Sequence, residues 1–213
     1  SCSLFSGVHG GVVPPPASEG EDVRPLEIVD VSAYLGTWYQ AYGSRSIFTI
    51  EVFGSCVRAR YSETEEDGVI GVKNSGVLLG QFAPSANVLP EVTIEGLARQ
   101  SPTGAQGQLQ VGFGDIPYVS GILDNLMPEE APYNDPGNYW IFELGPIVDG
   151  QYDWALVTNG ENKEQLYILV RDIDTFEDLY EEELVDLVRD VYGFTSFSNE
   201  PVKTNHDNCD YDD

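Results

Sequence analysis

Val29-Asp30-Val31-Ser32-Ala33-Tyr34-Leu35-Gly36-Thr37-Trp38-Tyr39 is the stretch on which the fold turns. The triplet Gly36-Thr37-Trp38 opens an alternating segment, so that Trp38, Gln40 and Tyr42 share one face and point inward. With 22 Gly and 3 Trp in 213 residues such a triplet arises about 0.3 times by chance, so its weight comes from its context. Upstream, residues 1–27 carry Gly10-Gly11, Pro14-Pro15-Pro16 and Ser18-Glu19-Gly20-Glu21-Asp22 with almost no apolar periodicity, the composition of an irregular, loosely docked arm. From Ile28 the chain reads as one domain, 28–213, whose period-two segments alternate with turn signals from Trp38 to Arg171.

The alternation assigns faces. In Cys56-Val57-Arg58-Ala59-Arg60-Tyr61 the arginines face water, which turns Val57, Ala59 and Tyr61 inward and Cys56 outward. After an Asp67-Gly68 turn, Ile70, Val72 and Asn74 point in with Lys73 out, and Val92, Ile94, Gly96 and Ala98 point in with Glu95 and Arg99 out. Leu109, Val111 and Phe113 oppose Gln108 and Gln110, and the charge of Glu143 turns Trp140 and Phe142 inward. Trp154 to Thr158 is apolar on both faces and leaves its parity open. In the last segment Arg171 shares a face with Tyr167 and Leu169, and an inward arginine needs a partner.

Eight strands follow, at 36–43, 56–63, 68–77, 91–100, 107–114, 138–144, 153–158 and 165–171, mostly joined by hairpin-length links. Asp174, with Glu177 three residues on, signals a helix start, and Phe176, Leu179, Tyr180, Leu184, Leu187, Val188 and Val191 recur at helical spacing up to Gly193. The expected fold class is all-β: an eight-stranded antiparallel up-and-down barrel, wide enough for one small ligand, with one C-terminal helix laid on its wall. The one long link, Asp115 to Gly137, is rich in Pro, Gly and acid and is expected to overhang a barrel end.

Composition narrows the function. Ten Lys+Arg against 36 Asp+Glu give a formal charge of −26, a field that repels phosphate backbones and anionic lipid surfaces, so nucleic-acid partners are excluded. No apolar run reaches membrane-spanning length, and Ser1-Cys2-Ser3-Leu4-Phe5 lacks the regions of a signal peptide, so a soluble chain with any leader already removed is expected. Three Cys, two His and no Cys-x-x-Cys pattern make zinc a poor choice, and no Asp-x-Asp-x-Asp-Gly loop is present for calcium. Buried thiols, a metal site and a disulfide remain the readings of the cysteines.

The opening stretch resembles the lipocalins, whose Asp-x-x-x-Tyr-Leu-Gly-x-Trp-Tyr is matched by Asp30, Tyr34, Leu35, Gly36, Trp38 and Tyr39. In that family an arginine at the end of the last barrel strand stacks on the tryptophan and closes the base; Arg171 matches it, so the resemblance gives Gly36, Trp38 and Arg171 a barrel-closing role. The chain looks closest to the apolipoprotein D and bacterial lipocalin branch, through Cys56 to Ser62, Tyr167 to Arg171 and Asn208-Cys209, and the likeness spans about residues 28–209. It implies a disulfide between Cys56 and Cys209, hence a secreted protein or another oxidising lumen, with Cys2 left odd. The family's second motif, Thr-Asp-Tyr, is reduced here to Asp149-Gly150-Gln151-Tyr152-Asp153.

A cavity lined by Tyr42, Tyr61, Asn74, Phe113, Trp140, Phe142 and Tyr167 is then expected to take an elongated or ring-bearing apolar ligand with a few polar tips: a fatty acid, sterol, retinoid, carotenoid or bilin, held non-covalently. No cofactor is required, though a bound pigment would fit. Lipid-modifying enzymes exist among lipocalin relatives, but Cys56 points outward, His9 and His206 lie outside the barrel, and the inward set shows no clear carboxylate, so no catalytic residue is assigned. The other reading is a scaffold whose acidic surface, arm or Cys2 engages a protein partner.

Overall fold

The computed structural model describes residues 22–45, 53–78, 91–102, 104–113 and 136–211. Cys2, His9 and most of both the arm and the 115–137 link lie outside the described residues. The chain enters through α1 (Val31–Tyr34), N-capped by Asp30, whose carboxylate accepts from the Ala33 amide and the Ser32 hydroxyl. Gly36, at φ +99°, turns the chain into β1 (Gly36–Ser44). A Cβ there would lie 2.8 Å from Gln151 Nε2 and 3.3 Å from Arg171 Nη1, so both conformation and space demand glycine.

The barrel continues with β2 (Phe53–Glu63), β3 (Val69–Leu78), β4 (Glu91–Gln100), β5 (Gln108–Phe113) and β6 (Tyr139–Leu144). A short hairpin, β7 (Ile147–Val148) and β8 (Gln151–Tyr152), precedes β9 (Trp154–Thr158) and β10 (Leu166–Val170). Sequential antiparallel pairing runs from β1 to β6, passes on to β9 and β10, and closes where β10 meets β1, at Tyr39↔Val170. All eight expected strands are present, with β2 starting earlier, at Phe53. A further strand, β11 (Pro201–Lys203), adds to β1 and was not foreseen.

The expected C-terminal helix is present and runs in three successive pieces: α2 (Ile173–Leu179), α3 (Glu181–Asp186) and a π-helical turn, Leu187–Val191. Its N-cap is Asp172, which accepts from the Thr175 amide at 2.7 Å; Asp174 lies inside the first turn. Tyr180, at φ −128°, ψ −18°, breaks the phase, so Leu179 is exposed while Phe176, Leu184 and Val188 are buried. Gly193, at φ +73°, ends the run as expected.

Two apolar layers result. One fills the barrel, with Trp38, Tyr61, Val72, Leu109, Ile141 and Leu169 among its members. The other lies outside the wall, where Ala41, Phe142, Leu156 and Ile168 pack against Phe176, Leu184, Val188 and Phe194. Val23 joins this outer layer, and the Leu26 amide donates to Ile141 O at 2.9 Å, so the last residues of the arm dock on the barrel.

Candidate ligand-binding site

The base of the barrel is built around Arg171. Its guanidinium lies 3.6 Å from the Trp38 ring centroid, and the Trp38 indole N–H donates to Tyr34 O at 2.8 Å. Nη2 donates to the carbonyls of Ala33, Tyr34 and Leu35, Nη1 to Thr37 O, and Nε to Tyr152 O. The arginine thereby satisfies the last carbonyls of α1, which have no partner within so short a helix. Burial lowers its pKa to about 10, which leaves it charged at neutral pH. The reduced second motif still serves the base: Gln151 Nε2 donates to Leu35 O, the Asp30 amide donates to the Tyr152 hydroxyl, and Asp149 and Gly150 take the positive φ of a tight turn.

Above this plug lies a cluster of phenols. The Tyr139 hydroxyl is 2.7 Å from that of Tyr34 and 2.9 Å from that of Tyr61. The Tyr34 ring packs 5.1 Å from Trp38 and 5.4 Å from Tyr61. Burial pushes the Tyr34 and Tyr139 hydroxyls well above the ordinary phenol range, so both remain protonated. The cavity beside them, lined by Tyr34, Tyr61, Gln106 and Tyr139, measures about 20 Å³, the scale of a single water. That volume is too small for an organic ligand.

Of the seven residues expected to line the cavity, Tyr61, Phe113 and Tyr167 pack with the inner layer. Asn74 follows Val72 at the same parity, pairs with Ala59 and Ile94, and has a buried Oδ1 with no hydrogen-bond partner among the described residues. The orientation of the other three is corrected. Between Gln40↔Leu169 and Tyr42↔Ile168, β1 carries one extra residue, Ala41. The bulge turns Tyr42 onto the helix side, where its hydroxyl donates to Glu181 at 2.6 Å and its ring meets Phe176. Burial, reinforced by that carboxylate, pushes its pKa up to about 12. β6 repeats the device: Ile141↔Val157 and Glu143↔Leu156 leave Phe142 extra, so Phe142 joins the outer layer, against Tyr192 and Phe194. Trp140 pairs with Gln108 on the outer face, and its indole donates to Pro136 O at 2.7 Å. Its inner neighbour, Tyr139, was missed in the sequence; pairing β6 with the inward Leu109 would have found it.

Cys56 and Cys209 are bonded, with Cα atoms 5.5 Å apart, a link that fits an oxidising environment. Among the described residues no group of three or more His, Cys, Asp or Glu could hold a metal ion, and no helix is long and apolar enough to cross a membrane. A hollow of about 620 Å³ lies outside the barrel, between α2 and the C-terminal segment, and is lined by Tyr39, Ile173, Glu177, Lys203 and His206 among others.

No curated protein sequence matches the chain. Among solved structures, it is similar to apocrustacyanin C1, with a TM-score of 0.51 and 15% identity over 83% of this chain and 79% of that one. It is also similar to insecticyanin from the tobacco hornworm Manduca sexta, with a TM-score of 0.52 and 16% identity over 91% of this chain and 89% of that one. Identities this low speak for the fold alone. A family model described as a lipocalin-like domain matches residues 29–201, the span that holds the Gly36-Thr37-Trp38 triplet, the closing Arg171 and all eight barrel strands, and the chain therefore belongs to the lipocalin family.

Proposed function

We propose that the chain is a carrier or store for a small hydrophobic molecule, held without covalent chemistry in the barrel above the phenol cluster. One observation carries the reading: an apolar interior, sealed at its base by Arg171 and Trp38, contains a buried amide oxygen on Asn74 with no partner among the described residues. A buried acceptor left unmet costs about 1–3 kcal/mol, so a ligand whose polar tip donates to it gains both that bond and the burial of its apolar body. A sterol, retinol, a hydroxylated carotenoid or a bilin meets this description, whereas a fatty acid carboxylate can only accept and does not serve Asn74 Oδ1. Phe113 and Tyr167 would flank the apolar body, and no cofactor or catalytic group is called for. Cys56–Cys209 and Tyr167 to Arg171 support a place in the apolipoprotein D and bacterial branch, and with it secretion.

The test is native mass spectrometry with an absorption spectrum on protein from its own source, repeated after organic extraction. A stoichiometric extractable mass is expected. An apo protein that also takes up neither retinol nor palmitate would overturn the carrier reading and move attention to the acidic surface as a scaffold. Asn74→Leu should weaken uptake of a hydroxyl-bearing ligand about tenfold, the worth of one buried hydrogen bond.

A further inference from the structure

β1 and β2 pair only near the base, from Gly36↔Tyr61 to Tyr39↔Arg58. Beyond that point β1 bulges at Ala41, while β2 shifts register between Ser55 and Arg58, with Cys56 held at φ +54°. A barrel whose wall ended there would carry two unpaired strand edges facing each other across a gap. The C-terminal segment occupies this gap. On one side Pro201–Lys203 pair with Ser44–Tyr42, and the Thr204 amide donates to Ala41 O at 2.9 Å. On the other, the Cys56 amide donates to Asn205 O at 2.9 Å, and Ser55 and Asn205 form a parallel bridge.

Side chains cross the same seam. Gln40 Nε2 donates to Thr204 Oγ1 at 3.2 Å, and both residues are buried. His206 places Nε2 2.9 Å from Gln40 O. The disulfide then fastens the end of the segment to β2. Upstream the chain is anchored independently: Phe194 is fully buried and Arg45 pairs with Glu200. From Pro201 onward the chain is held by its pairing with β1, by the Lys203 ion pairs to Glu177 and Glu181, and by the disulfide.

We propose that residues 201–209 are a disulfide-locked stave of the barrel wall, and that breaking Cys56–Cys209 opens a side route into the interior between β1 and β2. The chemistry is thiol–disulfide exchange. A small thiol or dithiol reductant attacks at Cys209, the more exposed of the two residues, and Cys56 leaves as a thiolate that takes up a proton. A second thiol equivalent resolves the mixed disulfide, giving two protein thiols and an oxidised reductant. With the covalent tie gone, the segment is held by non-covalent contacts alone, its hydrogen bonds to β1 and β2, the Lys203 ion pairs and the Tyr211 ring against Tyr39, and it opens locally. The use of the route for ligand exchange rests on the carrier reading; the opening itself does not.

Hydrogen exchange read by mass spectrometry, on the full chain with and without tris(2-carboxyethyl)phosphine, tests the opening. Amides of 40–44, 53–57 and 202–205 should exchange about tenfold faster or more after reduction, while those of 58–63 and 154–158 keep their protection. Cys209→Ser should behave the same way without reductant. Unchanged exchange at the seam overturns the proposal, as does acceleration spread evenly over every strand, which would mark global loosening. All-trans-retinol loaded before reduction should dissociate at least about tenfold faster, in step with the seam's opening. Faster exchange at the seam with an unchanged retinol off-rate overturns the side route. A protein that never takes up retinol counts against the carrier reading, and the stave is then judged on exchange alone.

Discussion

The barrel has two unlike halves. From β2 to β4 the strands have one face in the interior and one mainly in water: Tyr61, Val72 and Ala98 are buried, while Arg60, Lys73 and Glu95 are exposed. From β6 through β9 and β10 to the upper part of β1, both faces are covered. Ala155, Leu156 and Val157 are consecutive and all fully buried, with Leu156 turned toward the helices and its neighbours toward the interior. The difference teaches that strand parity is written by solvent. Where a wall meets water, a charged side chain fixes its neighbours' direction; where a helical layer replaces water, that information disappears.

Substitutions can separate the halves. The largest effect is expected at the shared base: Trp38→Ala removes a fully buried ring and the partner of Arg171, and should cost about 4 kcal/mol in urea unfolding. Next comes the outer layer. Phe142→Ala should cost about 3 kcal/mol, yet leave retinol affinity within a factor of about two, because its ring faces Tyr192 and Phe194 and not the cavity. A loss of affinity as large as that of Tyr167→Ala would place Phe142 back inside.

Tyr139→Phe tests the interior more gently. It removes the hydroxyl that joins Tyr34 to Tyr61, at a cost of about 1–2 kcal/mol, with the rings left in place. The smallest effect is at the seam. Burial holds the His206 pKa below the usual imidazole value, so the neutral ring is the native form and the unfolded chain binds the proton more readily. The contribution is therefore full above about pH 6.5 and shrinks as the pH falls below it. His206→Gln should show a smaller drop in Tm than the parent chain between about pH 7.5 and pH 5.5; an identical drop would remove His206 from the account.

The solvated half was legible in the sequence because Arg58, Arg60, Lys73 and Glu95 each fix a face. Gly36, Trp38 and Arg171 were legible for a different reason: an arginine among inward apolar residues demands a partner, and the opening stretch supplied one. The misread residues sit where local alternation stops carrying information. Ala41 and Phe142 are extra residues of bulges, and a bulge is set by the register of the strand opposite, which neither local sequence displays. Glu143 did face outward, as its charge required, and meets the Tyr192 hydroxyl, but the bulge put Phe142 on the same side. β11 was invisible because three residues of a tail, Pro201-Val202-Lys203, gain strand geometry only from β1 beside them.

The bonds from Arg171 to Ala33, Tyr34 and Leu35 join residues more than 130 positions apart in the chain, with separations of 138, 137 and 136. β1, which precedes the other seven barrel strands in the chain, finds its β10 partner last, so through most of the barrel's synthesis it has only β2 along one edge. Closure waits on contacts of high sequence separation, which places folding among the slow, milliseconds-to-seconds topologies. The base that seals the finished barrel is also what makes the nascent one wait, with the edge of β1 exposed to any chain that could pair with it first.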